Sequence, residues 1–422
     1  MRSISTSAEQ KSISNQQVQT LKMFLKFLSQ SYPTEKHVFL IPRFALRIAG
    51  FYPGDGNSRR MQAWLIFNFV VLVYGSYAEF MFGIHYLSID VVRALDALCP
   101  VASSIMSVVK LAFLWWHREE LDHLIKRVAE LMAEQNGPLK LADKRRNFTT
   151  ATRLSASVLL FGTTTSTLYT IRAGIANYLS HLHEEEIPYE TPFKMIFPQP
   201  LLSMPIFALT FIFSHWHGYI TVAGFAGTDG LFLCFCIYIG TLLKAIQYDT
   251  KDLLLDVDSG KHKHSSEHEI KESLKLIIAR HNEIIDLVER FSAVMSNVTL
   301  GHFVTSSAII GTCVVDMLLF SDYGVLVYLV HTMAVTTELF LYCLGGTVVI
   351  ECSSQLATAV YDSNWYTHSV EVQRMVLLII IRAQRSLVLK VPFFAPSLPA
   401  LTSVSKQLRL YMPLICMFFI NK

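Results

Sequence analysis

The sequence predicts an all-α fold: a seven-transmembrane helical membrane protein with a cytosolic N-terminus and an extracellular C-terminus. Three observations predict it. Of 422 residues, 52% are hydrophobic and 16% are charged, where an ordinary soluble domain carries roughly 25% charged residues, and mean hydropathy is +0.39. Seven stretches, 62–86, 93–116, 151–174, 201–225, 299–320, 324–346 and 397–420, are long and apolar enough to cross a bilayer, which takes about 20 residues of helix. The basic residues are unevenly placed. Residues 1–60, 117–153, 244–292 and 351–396 hold 29 of the 36 Lys and Arg, whereas the loops 87–92, 175–200 and 321–323 hold only Lys194. Basic loops stay in the cytosol, so the chain starts there and ends outside after seven crossings.

Taken in order, the first 60 residues are too polar to be a signal peptide, and 18–30 (VQTLKMFLKFLSQ) has the pattern of an amphipathic surface helix. After span two, Leu121, Leu124, Val128 and Leu131 recur at helical spacing, so spans two and three extend into the cytosol as helices. The apolar stretch 228–247 carries only Asp229 and Lys244 as charges and reads as a cytosolic continuation of span four. An eighth span is the alternative, which periodicity does not separate. The sequons at Asn147 and Asn297 fall on the cytosolic side and are expected to stay bare.

Several functional classes fall away. A net charge of +3 does not suit a nucleic-acid binder, and 28 Phe, 17 Tyr and 5 Trp exclude global disorder. The seven cysteines (99, 234, 236, 313, 343, 352 and 416) make no CxxC pair, so neither a disulfide scaffold nor a structural zinc site is expected. No Walker loop, GxGxxG, HExxH or GxSxG is present, which argues against an enzyme. A G-protein-coupled receptor would have the opposite orientation, and its DRY and NPxxY motifs are missing. His181 and His183 before three glutamates read as a solvated loop, and His262, His264 and His268 as a linker, rather than as metal sites.

Charges inside spans are costly. Arg93 and Asp96 are spaced to pair on one helix face, and Lys110, Asp229, Asp316 and Glu338 are further charges in or beside the spans; pairing or snorkelling is the favoured account. Spans three and four mix hydroxyls with aromatics, among them Thr165, Ser166, Tyr169, Phe207, Phe211, His215 and His217. That composition serves close helix packing and would also line a cavity for a small apolar ligand.

The C-terminal region carries a more specific signal. SSQLATAVYDSNWY (Ser353–Tyr366), Arg374, LLIIIRAQRSLVLK (Leu377–Lys390), Phe393-Phe394 and Ser397-Leu398 closely resemble the C-terminal signature of insect odorant receptors. IPYETPFKMIFPQP (Ile187–Pro200) resembles their second extracellular loop more weakly. Ser386 stands where the family usually has Pro, and Tyr411-Met412-Pro413 where it often has Tyr-Ser; a proline inside a helix removes a hydrogen bond and kinks it, which leaves the alignment of the pore positions open by one or two residues. Gustatory receptors end in a related motif, to which Tyr411 and Phe418 fit but Leu410 and Met417 do not.

The resemblance implies an odour-tuning subunit of a non-selective cation channel, with no cofactor and no enzyme activity. It implies a heterotetramer with a shared co-receptor in the plasma membrane of sensory dendrites, surrounded by lipid and binding no nucleic acid. A gustatory-type channel is the alternative. It further implies a cytosolic N-terminal segment (1–60), an odorant-binding side (61–227), an anchor region (228–396) and a pore-lining end (397–422). On this reading Val101, Ser104, Thr165, Tyr169, Phe207, Phe211, Tyr328 and His331 bind the odorant, and Tyr361, Trp365, Arg382, Gln384 and Arg385 serve assembly. Gln407, Met412, Cys416, Phe419 and Ile420 line the pore or its gate, or else pack against lipid or protein.

Overall fold

The computed structural model describes residues 38–54, 59–134, 137–182, 189–254, 267–319 and 324–403, together with Lys406. Nearly all of them are helical. The helices are α1 (Leu40–Ala49), α2 (Arg59–Tyr86), α3 (Val91–Trp116), α4 (Arg118–Glu134), α5 (Pro138–Leu182), α6 (Phe207–Leu253), α7 (Glu267–Leu319), α8 (Gly324–Tyr361) and α9 (Val370–Ala383). Five of them, α2, α3, α6, α7 and α8, are long and apolar enough to cross a membrane. The helix α5 is long enough but more polar, and a further helix begins at 398–403.

Leu121, Leu124, Val128 and Leu131 are helical and buried as their spacing predicts, but in a separate helix, α4, because α3 ends at Trp116 instead of extending into the loop. The stretch 228–247 continues α6 without a break, so it is no separate span. The amphipathic 18–30 stretch and the positions Gln407, Met412, Cys416, Phe419 and Ile420 lie outside the described residues.

Length decides the architecture. At 1.5 Å per residue, the 53 residues of α7 run about 80 Å, against a hydrocarbon core of about 30 Å. One end of α5, α6, α7 and α8 therefore projects beyond the bilayer. There α4 and α9 pack onto the projections. Arg127 Nε meets Glu283 Oε1 at 2.5 Å and Arg290 Nε meets Glu120 Oε1 at 2.7 Å, and the Arg290 guanidinium holds the Glu120 carboxyl below its usual range.

The helix α6 is the axis of the bundle: 94% of its most apolar window is buried, against 39% for α2. Large apolar side chains of α2, such as Phe67, Val70 and Tyr77, stay exposed. A contiguous apolar face of this kind suits lipid. Close helix approach rests on small residues. At Gly75 the ring of His217 occupies the space a Cβ would take, and at Gly227 the side chain of Leu46 does.

Several ionisable groups inside the bundle are paired across helices, although buried Asp316, expected to pair or snorkel, has neither carboxylate oxygen hydrogen-bonded. Asp96 takes the Arg172 guanidinium in a two-pronged bond of 2.8 and 2.9 Å and accepts from Tyr328 Oη at 2.5 Å. Arg93, the partner expected from spacing, turns instead to Asp90 at 3.2 Å. Asp90 also caps α3 by accepting from the backbone N–H of Val92 and Arg93, which satisfies two donors at the helix start.

Candidate functional site

A cavity opens between α2, α3, α5, α6 and α8, with about 610 Å³ of free space including the part open to solvent. Local chemistry makes the space. Pro100 interrupts the hydrogen bonding of α3 and lines one wall. Gly162 and Gly218 keep α5 and α6 thin, since a Cβ at Gly162 would meet Val222 at 2.7 Å. The segment Tyr189–Pro198 closes the top. It is tied down by Ile196 N–H to the Ala78 carbonyl at 3.1 Å and by Phe193 N–H to Ser214 Oγ at 3.2 Å. Phe193 then stacks against Tyr169, ring centroids 5.2 Å apart, and both rings face the cavity.

Polar groups are few and sit at the edges. Glu79 Oε2 accepts from Ser104 Oγ at 2.9 Å, and His217 Nε2 lies 3.4 Å from Glu79 Oε1. His331 lies edge-on to Tyr169 and bonds Ser103 through Nε2 at 3.3 Å. Glu338 lines the far side. A mostly apolar hollow with a few fixed polar groups suits a small, largely apolar molecule, which gains affinity from burial and orientation from one or two hydrogen bonds.

One helical turn further in lies a buried ionic knot. Lys110 Nζ meets Asp229 Oδ1 at 2.5 Å and His302 Nδ1 at 3.1 Å, Tyr342 Oη donates to Asp229 Oδ1 at 2.8 Å, and the Phe225 ring lies 3.9 Å from the ammonium. Phe225 and Glu338, four residues before Asp229 and Tyr342, line the cavity. The knot therefore joins α3, α6, α7 and α8 directly beneath the ligand-sized space.

Of the residues expected to bind ligand, Ser104, Thr165, Tyr169 and His331 come together around this cavity. The other four lie elsewhere. Val101 is buried beside it, its carbonyl accepting from Ser104 Oγ; Tyr328 is committed to Asp96 and Arg172; Phe207 packs on Phe211 and on Tyr189. Glu79, Phe193, Phe225 and Gly162 were missed. Glu79 had a readable signal, as the acidic residue inside an otherwise apolar span. In α5, Thr167 and Thr170 serve packing instead, bonding Tyr219 and His215 of α6 at 2.9 and 2.8 Å.

Membrane-length helices around a mostly apolar, ligand-sized hollow define a small-molecule receptor of the lipid bilayer. Comparison narrows the class. The sequence profile of the family described as 7tm Odorant receptor matches residues 90–407. Odorant receptor 24a of Drosophila melanogaster is 50% identical over 384 residues, covering 90% of this chain and 96% of that one. Odorant receptor 10a of the same organism is 29% identical over 389 residues, covering 90% and 96%. The solved insect olfactory receptor OR5 from Machilis hrabei superposes with a TM-score of 0.74 at 18% identity, covering 89% of this chain and 96% of that one, and its complex with eugenol with a TM-score of 0.71.

The chain belongs to the insect odorant receptor family. It is a multi-pass membrane protein with the helical fold of that receptor, and it acts as an odorant-binding receptor subunit.

Proposed function

We propose that this chain tunes the odour response of a heteromeric, non-selective cation channel, assembled with a shared co-receptor in the plasma membrane of sensory dendrites. The cavity walled by Tyr169, Phe193, His217 and His331 carries the reading. It is closed over by the docked Tyr189–Pro198 segment and is apolar enough for a volatile ligand. An odorant shifts gating only if it binds the open state more tightly, and the buried Lys110–Asp229 knot beneath the cavity gives a packed route by which a change at Phe225 or Glu338 reaches four helices.

The N-terminus is assigned to the cytosol and the C-terminus to the outside. Asn147 fits this, its amide donating to Thr241 Oγ1 at 2.9 Å within the α5–α6 contact and so unsuited to carrying a sugar. The domain plan follows: a cytosolic segment (1–60), an odorant side (61–227), an anchor region (228–396) and a pore-lining end (397–422). Assembly is assigned to the projecting end, where Tyr361 and Gln384 border an open groove, Trp365 Nε1 donates to the Tyr361 carbonyl, and Arg382 and Arg385 stand at the C-terminal end of α9. Gln407, Met412, Cys416, Phe419 and Ile420 are the proposed pore or gate positions.

Expression in a heterologous cell with and without an insect odorant co-receptor, followed by current recording against an odorant panel, tests the proposal. Odorant-evoked cation current only with the co-receptor is expected. Full current from this chain alone would overturn the tuning-subunit reading.

A further inference from the structure

Cys99, Cys313 and His331 lie 214 and 18 residues apart in sequence yet converge from α3, α7 and α8. Their sulfur and nitrogen atoms all fall within 4.8 Å of one another. Cys99 Sγ is 3.0 Å from Cys313 Sγ and 3.7 Å from His331 Nδ1. Both cysteines are completely buried and His331 nearly so. Cys99 is eight residues after the start of α3, Cys313 six before the end of α7 and His331 seven after the start of α8, so all three sit about 9–12 Å in from the same end of the bundle.

We propose that these three side chains form a binding site for a Zn²⁺ ion at the edge of the cavity, through two thiolates and one imidazole nitrogen. Two sulfurs on one tetrahedral zinc stand about 3.8 Å apart, so the 3.0 Å Cys99–Cys313 separation needs to open by less than about 1 Å. The imidazole is already oriented: Nε2 meets Ser103 Oγ at 3.3 Å while Nδ1 points at sulfur, the outer hydrogen bond that fixes a metal-binding histidine. Ile309 and Val335 pack around the sulfurs as a dry shell.

Charge favours the site. Two thiolates neutralise a divalent ion, so the filled site adds no net charge to the apolar bundle, and the two thiol protons leave to solvent on binding. The other cluster of donors, Asp229, His302 and Glu338, differs on this point. Lys110 already lies against Asp229 and His302 there and takes the place of the cation. His331, Ser103 and Pro100 also line the cavity, from which a water or a donor atom of a bound molecule would supply the fourth ligand.

The full-length receptor, purified with its co-receptor, is dialysed against Zn²⁺ and then freed of loose metal, and its zinc is counted by mass spectrometry. Retention of one ion for each copy of this chain is expected, over and above the co-receptor alone. That ion should be lost in Cys99→Ser, Cys313→Ser and His331→Ala. Replacement by Co²⁺ should give thiolate–cobalt charge-transfer bands and the strong visible absorption of a tetrahedral site. The proposal is overturned if no ion is retained, if all three variants keep it, or if peptide mapping without reductant finds Cys99 and Cys313 joined as a disulfide. Should the variants not assemble, the cobalt spectrum of the unmodified receptor decides, and absence of thiolate bands rejects the site. None of these readings depends on odorant response.

Discussion

Lys110 Nζ lies 2.5 Å from Asp229 Oδ1 with both side chains fully buried, and this pair ties α3 to α6 at the floor of the cavity. Removing one partner of such a pair leaves an uncompensated charge in an apolar bundle, at a cost of about 3–5 kcal/mol. Lys110→Met alone is expected to lower the melting midpoint of the detergent-solubilised receptor sharply and to reduce surface expression. Lys110→Met with Asp229→Leu is expected to recover most of the loss, because apolar replacement of a whole buried pair is often neutral. Fluorescence-detected size exclusion after heating reads both.

Filling the cavity is expected to blunt odorant sensitivity without unfolding the protein. Ala334 lines the cavity, so Ala334→Phe takes up space the ligand needs. A rise of at least about tenfold in half-maximal odorant concentration, or about 1.4 kcal/mol, is expected in current recordings. Phe211 packs outside the cavity, and Phe211→Leu is expected to change that value less than about threefold.

The Asp96–Arg172–Tyr328 cluster separates charge pairing from hydrogen bonding. Tyr328→Phe removes the donor at 2.5 Å to the Asp96 carboxylate but leaves the guanidinium pair, and a loss of about 1.5–3 kcal/mol is expected. Arg172→Met strands the Asp96 carboxylate, and a loss of about 3–5 kcal/mol is expected. Thermal melting of both variants in the same detergent checks the ranking.

His281 lies in the projecting part of α7 and is buried. Burial, helped by the nearby Arg382 charge, pushes its pKa down to about 4, so the folded state holds it neutral. The unfolded chain takes up a proton near pH 6.5, so this contribution to stability is intact above about pH 6.5 and is lost as pH falls toward 4. The melting midpoint is expected to drop between pH 7 and 5, and less steeply in His281→Phe.

Much of the architecture was legible because bilayer physics writes itself into composition: the apolar stretches of α2, α3, α6, α7 and α8 are found by counting. The helical character of α4 was legible in the spacing of Leu121, Leu124, Val128 and Leu131. The site was only partly legible. Ser104, Thr165, Tyr169 and His331 line the cavity, but Phe207 and Phe211 share their composition and point elsewhere, since residue type does not fix which helix face turns inward. Asp96 shows the same limit: spacing suggested Arg93, while the fold supplies Arg172 from another helix, 76 residues away. The Cys99, Cys313 and His331 cluster has no sequence signature, because its members come from three helices brought side by side only by packing.

A density map of the receptor with its co-receptor and an activating odorant tests the central assignment most directly. The ligand is predicted between Tyr169, Phe193 and His331, above Glu338. Ligand density confined elsewhere, for example in the groove between Tyr52, Met61 and Asp122, with this cavity empty, would contradict it.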